Sequence, residues 1–366
     1  MTGGVQAPLR ALSGRPGRRD FNPLVESARE ATYPPPYPEG WYVVGRSIDF
    51  RARPRFVQCV GNQWVVFRDR FGEVHVLDAY CPHLGANLAD GKVHDDCIEC
   101  PFHGWKIRGD GCVVGESDNG SPRDAQCRTR SWAVEELHGW VLVYHRHGAT
   151  TDGPTPEPPY RLERVTAIDD GSLIWRGEHD AGLVHMHLLE FVENSVDFRH
   201  FAAIHGRLRL PWTEIPVPGM TIHHEATWRR DETQNHVCWF GNDATLEFRG
   251  KQIKGSGARA DVRLDGPGSI IRFDFTLNRG GGRVVLYQSH TPIAPLTQRV
   301  RFRWFSGRNV PKPLALFIVG NWVSQWRQDI GIWERKIYRK NPMLTRGDGP
   351  IYQLRRWYAQ FYPTTS

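Results

Sequence analysis

Two short stretches of this chain carry residue types that hold metals, Cys81-Pro82-His83-Leu84-Gly85 and Cys100-Pro101-Phe102-His103-Gly104-Trp105. Taken together they spell C-x-H, sixteen intervening residues, then C-x-x-H. A [2Fe-2S] centre of mixed ligation needs two thiolates on one iron and two neutral imidazoles on the other, and trading thiolate for imidazole raises its reduction potential. Two loops that each give one Cys and one His meet that need. Two Cys and two His could also close a tetrahedral zinc site, and Cys97-x-x-Cys100 offers a knuckle-like spacing. Against zinc, C-x-H is an awkward spacing for gripping one ion, and Cys97 lies outside the paired Cys-Pro pattern.

The run Leu77-Asp78-Ala79-Tyr80-Cys81-Pro82-His83-Leu84-Gly85-Ala86-Asn87-Leu88, followed by Glu99-Cys100-Pro101-Phe102-His103-Gly104-Trp105, resembles Rieske non-haem iron oxygenases. Within them it is most similar to the cholesterol 7-desaturases and 3-ketosteroid 9-alpha-hydroxylases. The resemblance implies an α+β chain in which an all-β Rieske domain precedes a helix-grip, START-like catalytic domain with an antiparallel sheet and a C-terminal helix. It assigns Cys81, His83, Cys100 and His103 to the cluster.

A second constellation, Asp197-Phe198-Arg199-His200-Phe201-Ala202-Ala203-Ile204-His205, is similar to the same family's mononuclear iron motif. On an ideal helix His200 and His205 would point about 140° apart, since each residue turns about 100°. Both reach one ion only if the helix breaks or bulges between them. An oxygenase Fe(II) takes two imidazoles and one carboxylate and keeps positions open for dioxygen, so a distant acid is required. By resemblance to the family's C-terminal helix, Asp329 in Ser324-Gln325-Trp326-Arg327-Gln328-Asp329 is that ligand, with Glu334 as competitor on what reads as a solvated helix face. Asp197 is either a helix-capping or salt-bridged Asp or, as the family implies, a bridge between His200 and a Rieske histidine of a neighbouring subunit. Asn194 is a candidate neighbour of the iron, while His185 and His187 read as one face of a strand and not as ligands.

The elements that must position these groups follow from periodicity. Residues 1–40 form an arm whose first 32 positions look loosely ordered, leading into the extended Tyr33-Pro34-Pro35-Pro36-Tyr37-Pro38. Residues 41–148 alternate short β-rich runs at 64–67, 74–77, 132–134 and 140–144 with turn signals, and Gly85, Gly104 and Gly109 would let backbone amides approach the cluster sulfides. The stretch 145–159 has linker composition, and the catalytic domain is placed at 160–366. Strands are expected at 226–229, 244–248, 269–277 and 283–287, and a long helix at 314–337, stopped by Asn341-Pro342. Trp212, Met220, Trp239, Phe240, Phe273, Phe275, Tyr287 and Ile293 are candidates for an apolar pocket.

Bulk properties bound the partners. The chain has 366 residues, 40% hydrophobic and 24% charged, as in soluble two-domain proteins. No apolar run is long enough to span a membrane, and the N-terminal stretch lacks the apolar core of a secretion signal. Seven cysteines without a disulfide framework suit a reducing, cytoplasmic setting. The net charge of +7 is scattered, which fits solubility or docking of an acidic redox partner better than nucleic acid.

The resemblance implies the rest: a [2Fe-2S] Rieske cluster, a mononuclear non-haem Fe(II), O2 as co-substrate, an NAD(P)H-dependent ferredoxin-type reductase and a homotrimer. The activity implied is oxidation of a C–H bond of a sterol or steroid, by 7-desaturation, hydroxylation or methyl oxidation. Another hydrophobic substrate, or a non-catalytic electron carrier or sterol-binding protein, are the competing readings.

Overall fold

Among the described residues no strand between Gly40 and His145 exceeds seven residues, because turn-forming Gly, Asp and Pro interrupt each apolar run. A computed structural model describes residues 23–115, 127–148, 156–277 and 282–363. The N-terminal strands make three small antiparallel sheets. Gly40–Arg46 pairs with Trp140–His145, which pairs with Val134–Leu137; Arg55–Cys59, Asn62–Arg68 and Val74–Asp78 form the second. The third runs Lys92–His94, Cys97–Glu99, Lys106–Arg108, Val113–Gly115.

From Leu173 onward nine antiparallel strands form one sheet, in the order Leu173–Val184, Thr297–Gly307, Gly282–Ala294, Ile270–Leu277, Ala258–Asp265, Val237–Phe248, Pro216–Arg230, Arg207–Arg209, with Lys251–Gln252 pairing off Val237–Phe248. The helix Lys312–Trp333 lies across its inner face, burying Val319, Val323 and Trp326 against Phe273, Leu286 and Phe302. The fold is α+β, an all-β domain followed by a sheet gripping a C-terminal helix.

Side chains alternate along a strand, and Gly282–Ala294 buries both faces. Val284 and Leu286 belong to the core beneath the helix, whereas Val285 and Tyr287 join Trp41, Trp140 and Tyr144 of the N-terminal domain. Ser269 donates to the Trp41 carbonyl at 2.6 Å and Thr291 to that of Val43 at 2.8 Å. The two domains thus share a dry, hydrogen-bonded seam.

The expectation of a loose arm is corrected where it can be read. Positions 1–22 lie outside the described residues, but Pro23–Glu30 is helical. Arg29, 5% exposed, donates to the carbonyls of Trp333 at 2.5 Å, Lys336 at 2.8 Å and His185 at 3.3 Å. That guanidinium occupies the carbonyls that would otherwise continue the long helix, which ends at Trp333 rather than 337. Of the linker-like stretch, 149–155 lies outside the described residues.

Candidate metal centres and the cavity beside them

The two N-terminal ligand loops share one frame, C-P-x-x-G. In each, the glycine amide closes a turn onto the cysteine carbonyl, Gly85 to Cys81 at 2.9 Å and Gly104 to Cys100 at 3.1 Å. Both glycines sit at φ of +73° and +72°, where a Cβ is strained. Histidine is third in the first loop and fourth in the second, so two similar turns deliver their rings to one place. The His83 and His103 rings lie 4.7 Å apart, and His83 stacks on Trp105 at 4.5 Å.

The hairpin register fixes the second loop, since Glu99 pairs with Lys106 and leaves 100–105 as its tip. Cys81 and Cys100 are buried, His83 and His103 exposed. Burial pushes the Cys81 thiol up to about 11, while amides of His83 and Leu84 donate to its sulfur. Amides aimed at a ligand sulfur raise a cluster's potential. Cys97 instead turns its sulfur to Asp96 at 3.3 Å and takes no part. Gly109 departs from its expected role: a Cβ there would meet His75 Nδ1 at 2.1 Å, so it makes room for His75 rather than for the cluster.

The second site rests on a change of helical pitch. Phe198–His200 is one α turn, and Phe201–His205 continues as a π turn. A π turn bonds i to i+5, so residues five apart fall on one face, and the His200 and His205 rings approach to 5.1 Å. The long helix brings Asp329, whose Oδ2 is 3.2 Å from His205 Nε2. Ligand atoms of His200, His205 and Asp329 all lie within 4.8 Å of one another, and all three residues are buried.

The donors fit Fe(II). Among the described residues Asp329 Oδ1 and His205 Nδ1 are buried without a hydrogen-bond partner, a costly condition that a cation relieves. Burial lowers the His200 pKa and keeps its ring neutral, as a ligand must be. His200 Nδ1 bonds the main-chain carbonyl of Asp197, which leaves Nε2 for metal. The Asp197 carboxylate accepts from the His200 amide at 3.3 Å, capping the turn.

Glu334 closes the helix end and accepts from the His185 amide at 3.2 Å, away from the metal ligands. His185 and His187 do not share a strand face: the strand stops at Val184, His185 is exposed, and buried His187 caps Leu188–Asn194. Asn194 lies at the cavity wall and accepts from Trp333 Nε1 at 3.3 Å.

A cavity opens between sheet and helix with His200, His205 and Asp329 in its wall. Its sheet side is a cross-strand row, Phe240 beside Val262 beside Phe273. Its helix side is Trp322, Gln325, Trp326 and Asp329, the i, i+3, i+4, i+7 face. Of the aromatic candidates read from sequence, Phe240 and Phe273 line it. Trp239 and Tyr287 are each one position off an inward residue and face the other way, Trp239 between Arg229 and Arg263 and Tyr287 into the domain seam. Trp212 covers Gly320 on the helix, Met220 pairs with Phe248, Phe275 stacks behind Phe273, and Ile293 packs on the N-terminal core. Trp322, Gln325 and Trp326 were readable by stepping back from Asp329 at helical spacing.

A sheet gripping one helix, with a two-histidine, one-carboxylate set inside and a Cys2His2 loop pair on an all-β domain ahead of it, defines a Rieske non-haem iron oxygenase. The Rieske [2Fe-2S] domain model matches residues 40–129 and the 3-ketosteroid 9alpha-hydroxylase C-terminal domain matches 151–362. The chain belongs to that 3-ketosteroid 9alpha-hydroxylase family of Rieske oxygenases. It is 31% identical to a cholesterol 7-desaturase of Hemicentrotus pulcherrimus over 97% of this chain and 76% of that protein. It is 30% identical to the oxygenase component of a 3-ketosteroid-9-alpha-monooxygenase of Rhodococcus rhodochrous, covering 92% and 87% of the two chains. Dicamba monooxygenase bound to dicamba shares the fold, with a TM-score of 0.63 at 16% identity over 88% of this chain and 96% of that one. The enzyme is a non-haem iron monooxygenase or desaturase that uses a Rieske cluster, a mononuclear iron and O2.

Proposed function

We propose that this chain is the oxygenase component of a system that oxidises a C–H bond of a sterol or steroid. The observation that carries the reading is the cavity between sheet and helix, apolar on both walls with His200, His205 and Asp329 set into it. The relatives at 30–31% identity are named for cholesterol and ketosteroids. Phe201, Phe240, Phe273 and Trp326 exclude water and hold a rigid apolar substrate against the ligand set. Whether oxidation ends as an alcohol, an alkene or a lost methyl group is set by which hydrogen those walls present.

Cys81, His83, Cys100 and His103 hold the cluster, and His200, His205 and Asp329 hold the iron. When bound, the iron supplies dioxygen activation with electrons stored on the cluster by a separate NAD(P)H-dependent ferredoxin-type reductase. Electrons cross between subunits of a head-to-tail trimer, with Asp197 linking His200 to a Rieske histidine of the next chain. Support for that route is the exposure of His83 and His103 beside Leu84 and Phe102, 65% and 62% exposed, an apolar rim suited to a second copy. None of the described helices is long and apolar enough to cross a membrane, and no disulfide joins the described cysteines, in keeping with a cytoplasmic setting.

The test is aerobic incubation of iron-loaded protein with reductase, NAD(P)H and a panel of sterols and ketosteroids, with products identified by mass spectrometry. A product heavier by one oxygen or lighter by two hydrogens supports the reading. Turnover of other hydrophobic compounds but of no steroid sinks it.

A further inference from the structure

The cavity wall holds few polar groups beyond the metal ligands, and most are spent within the protein. Ser195 Oγ donates to the Val192 carbonyl at 2.7 Å, Asn194 Oδ1 accepts from Trp333, and Trp322 Nε1 donates to Gln288 Oε1 at 3.0 Å. Two are not spent. The Gln325 side chain makes no hydrogen bond among the described residues although the residue lines the cavity. Trp326, also in the wall and 2% exposed, has a buried Nε1 without a partner.

These two residues are adjacent and lie four and three positions before Asp329 on one helix face. Four residues of α-helix rise about 6 Å, and helical side chains lean toward the N-terminus. The two side chains therefore sit about one turn from Asp329, displaced toward the N-terminal end of the helix. The buried Trp326 indole N–H left unpaired is costly, and a substrate oxygen removes that cost.

We infer that Gln325 and Trp326 form a polar subsite that takes a hydroxyl or carbonyl oxygen of the substrate and so fixes which carbon faces the metal. The substrate class is a rigid apolar molecule with an oxygen about one helical turn, roughly 6 Å, from the C–H that is oxidised. This rests on the steroid reading above and sharpens it: the subsite reads the oxygen, the aromatic walls read the skeleton.

The experiment is equilibrium dialysis of the iron-loaded full-length protein with three probes: a 3-oxosteroid, the matching 3-hydroxysteroid and the 3-deoxy hydrocarbon. One neutral hydrogen bond to an otherwise unpaired group predicts about tenfold tighter binding of the oxygenated probes. Gln325→Met, similar in length, and Trp326→Phe, which keeps most of the ring packing, should each weaken the oxygenated probes severalfold more than they weaken the hydrocarbon. Iron content and cluster absorbance certify each variant's fold. Wild-type discrimination preserved in both variants overturns the subsite, as does equal weakening of all three probes. Equal binding of the three by wild type removes the subsite alone, whereas no binding of any of them removes the steroid reading and the subsite with it.

Discussion

Asp197 caps a turn and, in the proposed electron route, also bridges two subunits, and a pair of substitutions tells the two roles apart. Its carboxylate caps the turn that carries His200, through a 3.3 Å bond to the His200 amide. Losing an N-cap costs about 1 kcal/mol, and a long bond at a half-buried residue puts Asp197→Ala at or below that, a fall of about 2 °C in melting temperature. Asn caps as well as Asp, so Asp197→Asn should be close to neutral in stability. Neither change removes the main-chain carbonyl that receives His200 Nδ1–H, so both variants should keep iron at wild-type stoichiometry. Neither retains a carboxylate to link one subunit's His200 to the next cluster, and steady-state turnover with the native reductase should drop about 100-fold or more in both. Melting curves, iron and sulfide analysis and oxygen uptake read the three quantities. Wild-type turnover in Asp197→Asn would refute the bridging role and leave only the cap; loss of iron in it would refute the assignment of the tautomer to the backbone.

Asp329→Ala should abolish iron binding while the cluster spectrum stays intact, and Glu334→Ala should leave both metals in place; metal analysis that reversed this pattern would reassign the ligand. Arg29→Ala removes the guanidinium from the carbonyls of Trp333, Lys336 and His185, of which Lys336 keeps a bond from the Tyr33 hydroxyl at 3.3 Å; at about 1 kcal/mol or more for each of the other two it should lower stability by about 2 kcal/mol and loosen iron at Asp329, one turn before Trp333, and an unchanged unfolding midpoint would rule this out. Burial holds His145 and His290 down at about 3 and His187 at about 4. The unfolded chain protonates these rings near pH 6.5 and the folded chain does not, so their stability is fully present above about 6.5. It should fall by up to about 1.4 kcal/mol per pH unit per ring as pH drops toward 4. Urea midpoints measured from pH 7.5 to 5.5, with iron retention followed in parallel, would disprove this if they stayed flat.

Much of the framework could be read from short-range pattern. The C-P-x-x-G frames announce two matching turns because each encodes its own geometry, a glycine at positive φ closing on a cysteine carbonyl. The five-residue spacing of His200 and His205 demanded a departure from α pitch, and the chain meets it with the π turn Phe201–His205. Strands such as Val237–Phe248 and Gly282–Ala294 extend well beyond the segments expected, since sheet neighbours on both sides prolong a strand past where local propensity falls off. Thr297–Gly307 was legible but unread: Arg299, Arg301 and Arg303 alternate with Val300, Phe302 and Trp304 at period two.

What the sequence by itself determined is the donor chemistry: two thiolates and two imidazoles in loops that fold locally, and two further imidazoles on one interrupted helix. What only tertiary structure decided is company. Asp329 lies more than a hundred residues from His205 and reaches it because the long helix is gripped by the sheet, with Arg29 holding its far end. The cavity wall follows the same logic, for Phe240 and Trp239 differ by one step along a strand and only cross-strand register says which one faces the metal. Local turns are fixed by a few neighbouring dihedrals, whereas which face looks inward is fixed by burial of the whole sheet, a quantity no short stretch of sequence contains.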